Sequence, residues 1–209
     1  MSKIPASEIW PLVHAERLAL IDDLGTLNAE QWEFPSLCGG WSVHDVAAHL
    51  ADNARATFFR LLVAMAKAGF SLDRQNDNGV AAVKAATPAG TLQKLVEVAA
   101  LRDTPPVPIA SRLVEEIAHG EDIRRAVGLK RVYPAESLEP AIRYQAATPQ
   151  GVGGSKELAS KVQLCSQDES FRLGIGPQIV GTRLELLMLV SGRGKHAEGL
   201  SGPGLAFVR

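Results

Sequence analysis

Cysteine is almost missing from this chain: Cys38 and Cys165 are the only two in 209 residues. Two thiols so far apart exclude a disulfide framework and point to the reducing cytosol. Aromatic residues are scarce at 5%, which, with abundant alanine, favours closely packed helices over a sandwich. Net charge is also lacking, since 22 Lys and Arg against 23 Asp and Glu leave a formal charge of -1. No basic field therefore steers the chain toward nucleic acid or an anionic membrane. No apolar run approaches the ~20 residues that span a bilayer, and Met1-Ser2-Lys3-Ile4-Pro5 has no signal-peptide core. The expectation is a soluble cytoplasmic globule, long enough to bury a real core, without nucleic-acid or membrane partners.

Periodicity divides what is present into an alanine-rich helical part, residues 1–150, and a strand-like tail, residues 151–209. Trp10, Val13, Arg17, Leu20 and Leu24 trace a helix over Ala6 to Leu24. Phe34 to Gly40 reads as a loop by its proline and glycines. Ser42 is an N-cap, with Asp45 completing a capping box and Trp41 placed to staple the first turn. Helical spacing then runs on to about Ala68. Gly69 to Gly90 is polar, with a weak helical patch at Val80 to Ala86. Thr91 is expected to cap a helix over Leu92 to Leu101. Another helix starts near Ser111 and stops at Gly128, a C-terminal cap. Four main helices predict a bundle, a fold in which metal sites are built from facing side chains. Beyond it come a short helix at Leu138 to Ala147, a flexible Gly151 to Ser155, and paired strands at Lys161 to Ser166 and Ser170 to Ile175. A compact helix at Arg183 to Leu189 and a last strand at Leu205 to Val208 complete the expected order.

Three residues on the helical stretches suggest chemistry. Glu115 and His119 are four apart, so a helix projects both from one face. His49 stands among the small apolar residues Val46-Ala47-Ala48 and Leu50. Two imidazoles and a carboxylate suit zinc and leave a coordination position open for water or a thiolate. Asp122, three residues after His119, is placed to accept its free imidazole proton. By spacing alone the same residues also fit a solvated helix face with ordinary part-buried histidines, and Glu116 belongs with that reading. Arg124-Arg125 reads as a solvated last turn favoured by the helix dipole. His14, His44 and His196 read as surface residues.

The run Pro35-Ser36-Leu37-Cys38-Gly39-Gly40-Trp41-Ser42-Val43-His44-Asp45-Val46-Ala47-Ala48-His49-Leu50 closely resembles the signature of the mycothiol-dependent maleylpyruvate isomerase family. A second block, His119-Gly120-Glu121-Asp122-Ile123-Arg124-Arg125-Ala126-Val127-Gly128, is similar to that family's His-Gly-x-Asp-Ile-Arg-Arg-x-x-Gly element. Ala126 departs from it where many members have proline. Leu184 to Arg193 resembles the family's carboxy-terminal helix and Ser/Thr-Gly-Arg turn. The resemblance implies a DinB-like four-helix bundle that holds a divalent metal, usually zinc, through His49, Glu115 and His119. It further implies a small α/β carboxy-terminal domain, mycothiol as thiol cofactor, and an actinobacterial host.

Three functions follow as expectations. In the first, the metal activates a low-molecular-weight thiol, mycothiol, for S-transfer or thiol-assisted isomerisation of an electrophilic substrate, with Asp122 orienting His119 and Arg193 steering a substrate carboxylate. Arg193 also fits a helix C-terminal arginine bonding carbonyls. The second is a metal-dependent amide or ester hydrolase with Asp52 or Glu116 as general base. The third is a non-catalytic regulatory protein whose closed metal site recruits Cys38. A homodimer is compatible with each.

Overall fold

The computed structural model describes residues 4–208. The helices are α1 (Ala6–Gly25), α2 (Ala29–Trp32), α3 (Val43–Asn53), α4 (Phe58–Lys67), α5 (Leu72–Val83), α6 (Pro88–Val98) and α7 (Ala110–Val127). They are followed by α8 (Ala135–Ala147), α9 (Lys156–Ala159), strands β1 (Gln163–Ser166), β2 (Arg172–Gly174) and β3 (Gln178–Gly181), and α10 (Arg183–Met188). The chain divides into two compact units, one over Ala6–Arg131 and the other from Val132 on. That division falls before the residue 150 expected from the sequence, because α8 packs on α10.

In the first unit α1, α3, α6 and α7 form the bundle, and α5 adds to it against α3. The stripe expected on α1 is buried, with Leu20 and Leu24 joining Val43, Val46, Ala47, Leu50, Leu95, Val98 and Ile123 in one core. At ~25 cal/mol per Å² of apolar surface, such side chains supply most of the drive for folding. Arg17 lies in the same buried stripe. Its Nε donates to Glu116 Oε1 at 2.7 Å, and Nη1 donates to the Val98 and Leu101 carbonyls at 3.3 and 2.9 Å. Glu116 is thus a buried partner of α1 and not part of a solvated face. Arg124 is buried too, bonded to Asp23 at 2.6 Å, and Arg125 pairs with Glu121 at 2.8 Å. Only the spacing was visible in the sequence; the long-range acids were not.

The Ser42 capping box forms, with the Ser42 amide donating to Asp45 Oδ2 at 3.0 Å and the Asp45 amide donating to Ser42 Oγ at 3.2 Å. The helix expected to continue to Ala68 instead breaks after Asn53. The Asn53 carbonyl accepts from Arg112 at 3.1 Å, and Thr57 caps a new helix by accepting from the Arg60 amide at 3.4 Å. The polar stretch after Gly69 holds a full helix, α5, whose Gly79 lies so close to α3 that a Cβ there would sit 2.3 Å from Asp52 Oδ2. Thr87, followed by Pro88 in the first turn, caps α6 in place of Thr91. Thr91 is buried and serves another purpose: its Oγ1 accepts from the Ala85 amide at 2.9 Å and shares a 2.7 Å hydrogen bond with His44 Nε2. His44 is therefore not a surface residue, and it meets Trp32 edge-on at 5.4 Å.

In the second unit the sheet order is β2-β1-β3. The expected antiparallel pair forms with Leu164 opposite Leu173. A third strand absent from the sequence reading, β3, runs parallel to β1 with Leu164 opposite Ile179. Leu164, Phe171, Ile179, Leu186, Leu187 and Ile142 are buried. The stretch expected to be flexible begins in a 3-10 turn, Gln150–Val152, closed at Gly153 with φ 86°. The expected last strand is also a 3-10 turn, Pro203–Phe207; it packs against β3, and just before it Ser201 forms an antiparallel bridge with Val180.

Two outcomes follow from this packing. Arg17→Met strands Glu116 in the core and should lower unfolding free energy by ~3–5 kcal/mol, while adding Glu116→Leu should restore most of it, as urea denaturation will show. Burial, then the Lys84 charge, pushes the His44 imidazole below its ordinary value, so the fold favours the neutral ring. As pH falls below about 6.5 the unfolded chain takes up that proton first and stability declines. His44→Gln should flatten that decline in stability measured against pH.

Candidate functional site

Helices α3 and α7 pack directly on each other, and their facing residues bring the three candidate ligands together. The ligand atoms of His49, Glu115 and His119 all lie within 4.8 Å of one another. Glu115 Oε2 is 3.6 Å from His49 Nε2 and 3.6 Å from His119 Nε2. The imidazole rings are 4.8 Å apart and close to perpendicular, at 71°. Two donors bound to one tetrahedral zinc at ~2.1 Å are themselves about 3.4 Å apart. The observed spacing is therefore the ligand-to-ligand distance of one small cation, and slightly long for direct hydrogen bonds. The donor set, two borderline nitrogens and one hard oxygen, fits zinc as well.

Each ligand is held from outside the cup. Asp122, with no exposed surface, lies with Oδ2 3.0 Å from His119 Nδ1. When the carboxylate accepts the Nδ1 proton, the lone pair of Nε2 faces Glu115. His49 packs its ring 5.0 Å from that of Trp41, and Trp41 donates Nε1 to Asp77 at 3.1 Å. Trp41 thus acts on the histidine of the next turns, not only as a staple.

Sequence reasoning missed two residues. Asn53 Nδ2 donates to Glu115 Oε2 at 2.9 Å, and Arg112 Nη1 in turn donates to Asn53 Oδ1. Asn53 is one turn beyond His49 and Arg112 is three residues before Glu115, so the helical repeat was the available signal; their mutual contact was not. Burial pushes the Glu115 carboxyl up, but the facing His49, then the charges of His119 and Arg112, outweigh it and hold it at about 2.

The loop Phe34–Trp41 is tied down at both ends. The Val43 amide donates to the Phe34 carbonyl at 2.9 Å, and the Leu37 amide donates to the Asp122 carbonyl at 3.2 Å. This brings Cys38 beside His119 and Asp122, with ligand atoms again within 4.8 Å of one another. His119 is common to both trios, but Cys38 does not group with His49 and Glu115. Glu116, bound to Arg17, faces away from the cup, and Asp52 lies against Gly79. Arg193 belongs to the second unit, where its Nη1 donates to the Ser191 carbonyl at 2.7 Å across the Gly192 turn.

These features define a helical bundle with a two-histidine, one-carboxylate cup, followed by a small α/β unit. Residues 13–105 match the family model of the mycothiol maleylpyruvate isomerase N-terminal domain, so the resemblance carried by the first block, Pro35 to Leu50, holds. The match includes His49 and ends before Glu115 and His119. Two solved structures share the fold over nearly the whole chain. One is a histidine-to-alanine mutant of mycothiol-dependent maleylpyruvate isomerase, with TM-score 0.67, 16% identity, and 97% of this chain and 96% of that chain covered. The other is mycothiol-dependent maleylpyruvate isomerase, with TM-score 0.66 and the same identity and coverage, 16%, 97% and 96%. No curated protein matches the chain significantly. Among the described residues no helix is long and apolar enough to cross a membrane.

Proposed function

We propose that this protein is a cytoplasmic, zinc-dependent enzyme that activates mycothiol for isomerisation of, or S-transfer to, an electrophilic small molecule. The observation that carries the reading is the placement of Glu115 Oε2 at 3.6 Å from both imidazole Nε2 atoms. The family match over residues 13–105 and the fold shared with mycothiol-dependent maleylpyruvate isomerase support a thiol-dependent isomerase as the reaction class. Bound zinc would lower the pKa of a thiol at its open position and keep it a nucleophile near neutral pH.

The chain's own residues supply the rest. Glu115 brings a negative charge that offsets part of the cation's charge. Asp122 fixes the tautomer of His119, and Trp41 limits the swing of the His49 ring. Arg112 holds Asn53, which holds Glu115, so the carboxylate is oriented before a ligand arrives. Arg193 is assigned to an anionic substrate; its Nη1 already donates to the Ser191 carbonyl, and a guanidinium carries further N–H donors. Hydrolysis is disfavoured by specific contacts, because Glu116 is committed to Arg17 and Asp52 to the packing of α3 on α5.

Protein purified without an affinity tag should contain stoichiometric zinc by elemental analysis and should accelerate cis-to-trans isomerisation of maleylpyruvate when mycothiol is added. His49→Ala should lose metal and activity together; full metal content in that variant would sink the ligand assignment. Asn53→Ala should bind zinc about 10–100-fold more weakly in chelator competition while remaining folded. Arg193→Met should raise KM for an anionic substrate more than it lowers kcat, whereas a purely structural arginine would change thermal stability and leave KM alone.

A further inference from the structure

Helix α4 is apolar on both sides, a pattern that belongs to a buried helix. Leu61, Ala64, Met65 and Ala68 follow helical spacing on its inner side and are partly or fully buried. The opposite side is open: Phe58 is 51% exposed, Phe59 75%, Leu62 49% and Val63 53%. Phe70 and Leu72, just beyond it, are 71% and 44% exposed. Phe58 and Phe59 meet edge-on at 5.4 Å, so the outer surface begins with a ready-made aromatic pair. Phe70 takes φ 61°, a backbone region that costs a bulky residue stability.

We infer that this face is the contact surface between two copies of the chain, related by a two-fold axis. Three features choose a second copy as the occupant. The first is area: Phe58, Phe59, Leu62 and Val63 on α4 present roughly 400 Å² of side chain at these exposures. A stable pair of proteins buries ~800 Å² on each partner, so this apolar centre supplies about half and a polar rim of similar size the rest, the usual apolar share of an interface. The second is charge. Arg60 and Lys67 on α4 are followed by Asp73, Arg74 and Asp77 on α5, and a surface carrying both signs can complement its own copy. Arg74 is partly engaged with the Ala68 carbonyl at 3.3 Å, and Asp77 with Trp41 at 3.1 Å. An anionic membrane would instead call for a cluster of cations. The third is geometry: an isologous contact needs one self-complementary patch, and the small Ala66 on the outer face leaves room for a partner's side chain.

Sedimentation equilibrium of the full chain at micromolar concentration should give twice the 22.3 kDa chain mass. Phe59→Glu should weaken association by about 30-fold or more, as expected when an aromatic anchor is lost. Leu62→Lys should act similarly, and both should keep the helical circular dichroism, since each side chain points into solvent. The mixed pair Phe59→Glu with Phe59→Lys should associate better than either alone. A wild-type chain that stays monomeric, a dimer unmoved by both folded variants, or a monomer that instead co-sediments with anionic vesicles would overturn the assignment.

Discussion

The buried ion pair between Arg17 and Glu116, at 2.7 Å, sets the rotation of α7 about its own axis. Successive residues on a helix are about 100° apart. With Glu116 turned onto α1, Glu115 points toward α3, and His119, one turn on, follows it. Arg17 also takes the carbonyls at the end of α6, so one guanidinium joins three helices. The pair is costly to bury but unambiguous: any other rotation of α7 leaves a charge in the core. The cup depends on that choice of register more than on the strength of any contact within it.

Inside the cup the electrostatics are arranged from opposite directions. Glu115 is held ionised by the positive groups around it, while Asp122 sits behind His119 on the side away from Glu115. One carboxylate faces the space between the imidazoles and the other faces the back of a ring. That division of roles suits a cation site in which the ligands are aimed in advance. The Arg112–Asn53–Glu115 chain extends the same logic outward, and it also explains why α3 ends where it does.

The second unit is organised by a different rule. Its short sheet buries too little apolar surface to be stable alone, so α10 packs on β1 and β3 and on α8 in turn. Arg183 ties the end of the sheet to α8 through Glu139 and to the β1–β2 turn through Asp168, both at 2.9 Å. The three candidate metal ligands lie within the bundle, His49 on α3 and Glu115 and His119 on α7.

The sequence by itself determined the elements whose causes are local. The Ser42 capping box, the Gly128 stop and the Glu115–His119 spacing each arise within a turn or two, so they were legible without a fold. The family likeness was legible for the same reason, since its blocks are contiguous. What only the tertiary structure decided depends on residues far apart in the chain. Asn53 ended α3 because Arg112 claims its carbonyl, Thr91 became a buried partner of His44, Glu116 turned inward to Arg17, and β3 formed because β1 offered it an edge. Periodicity reports which face of a helix is apolar; it carries no information on which distant polar group will meet it there.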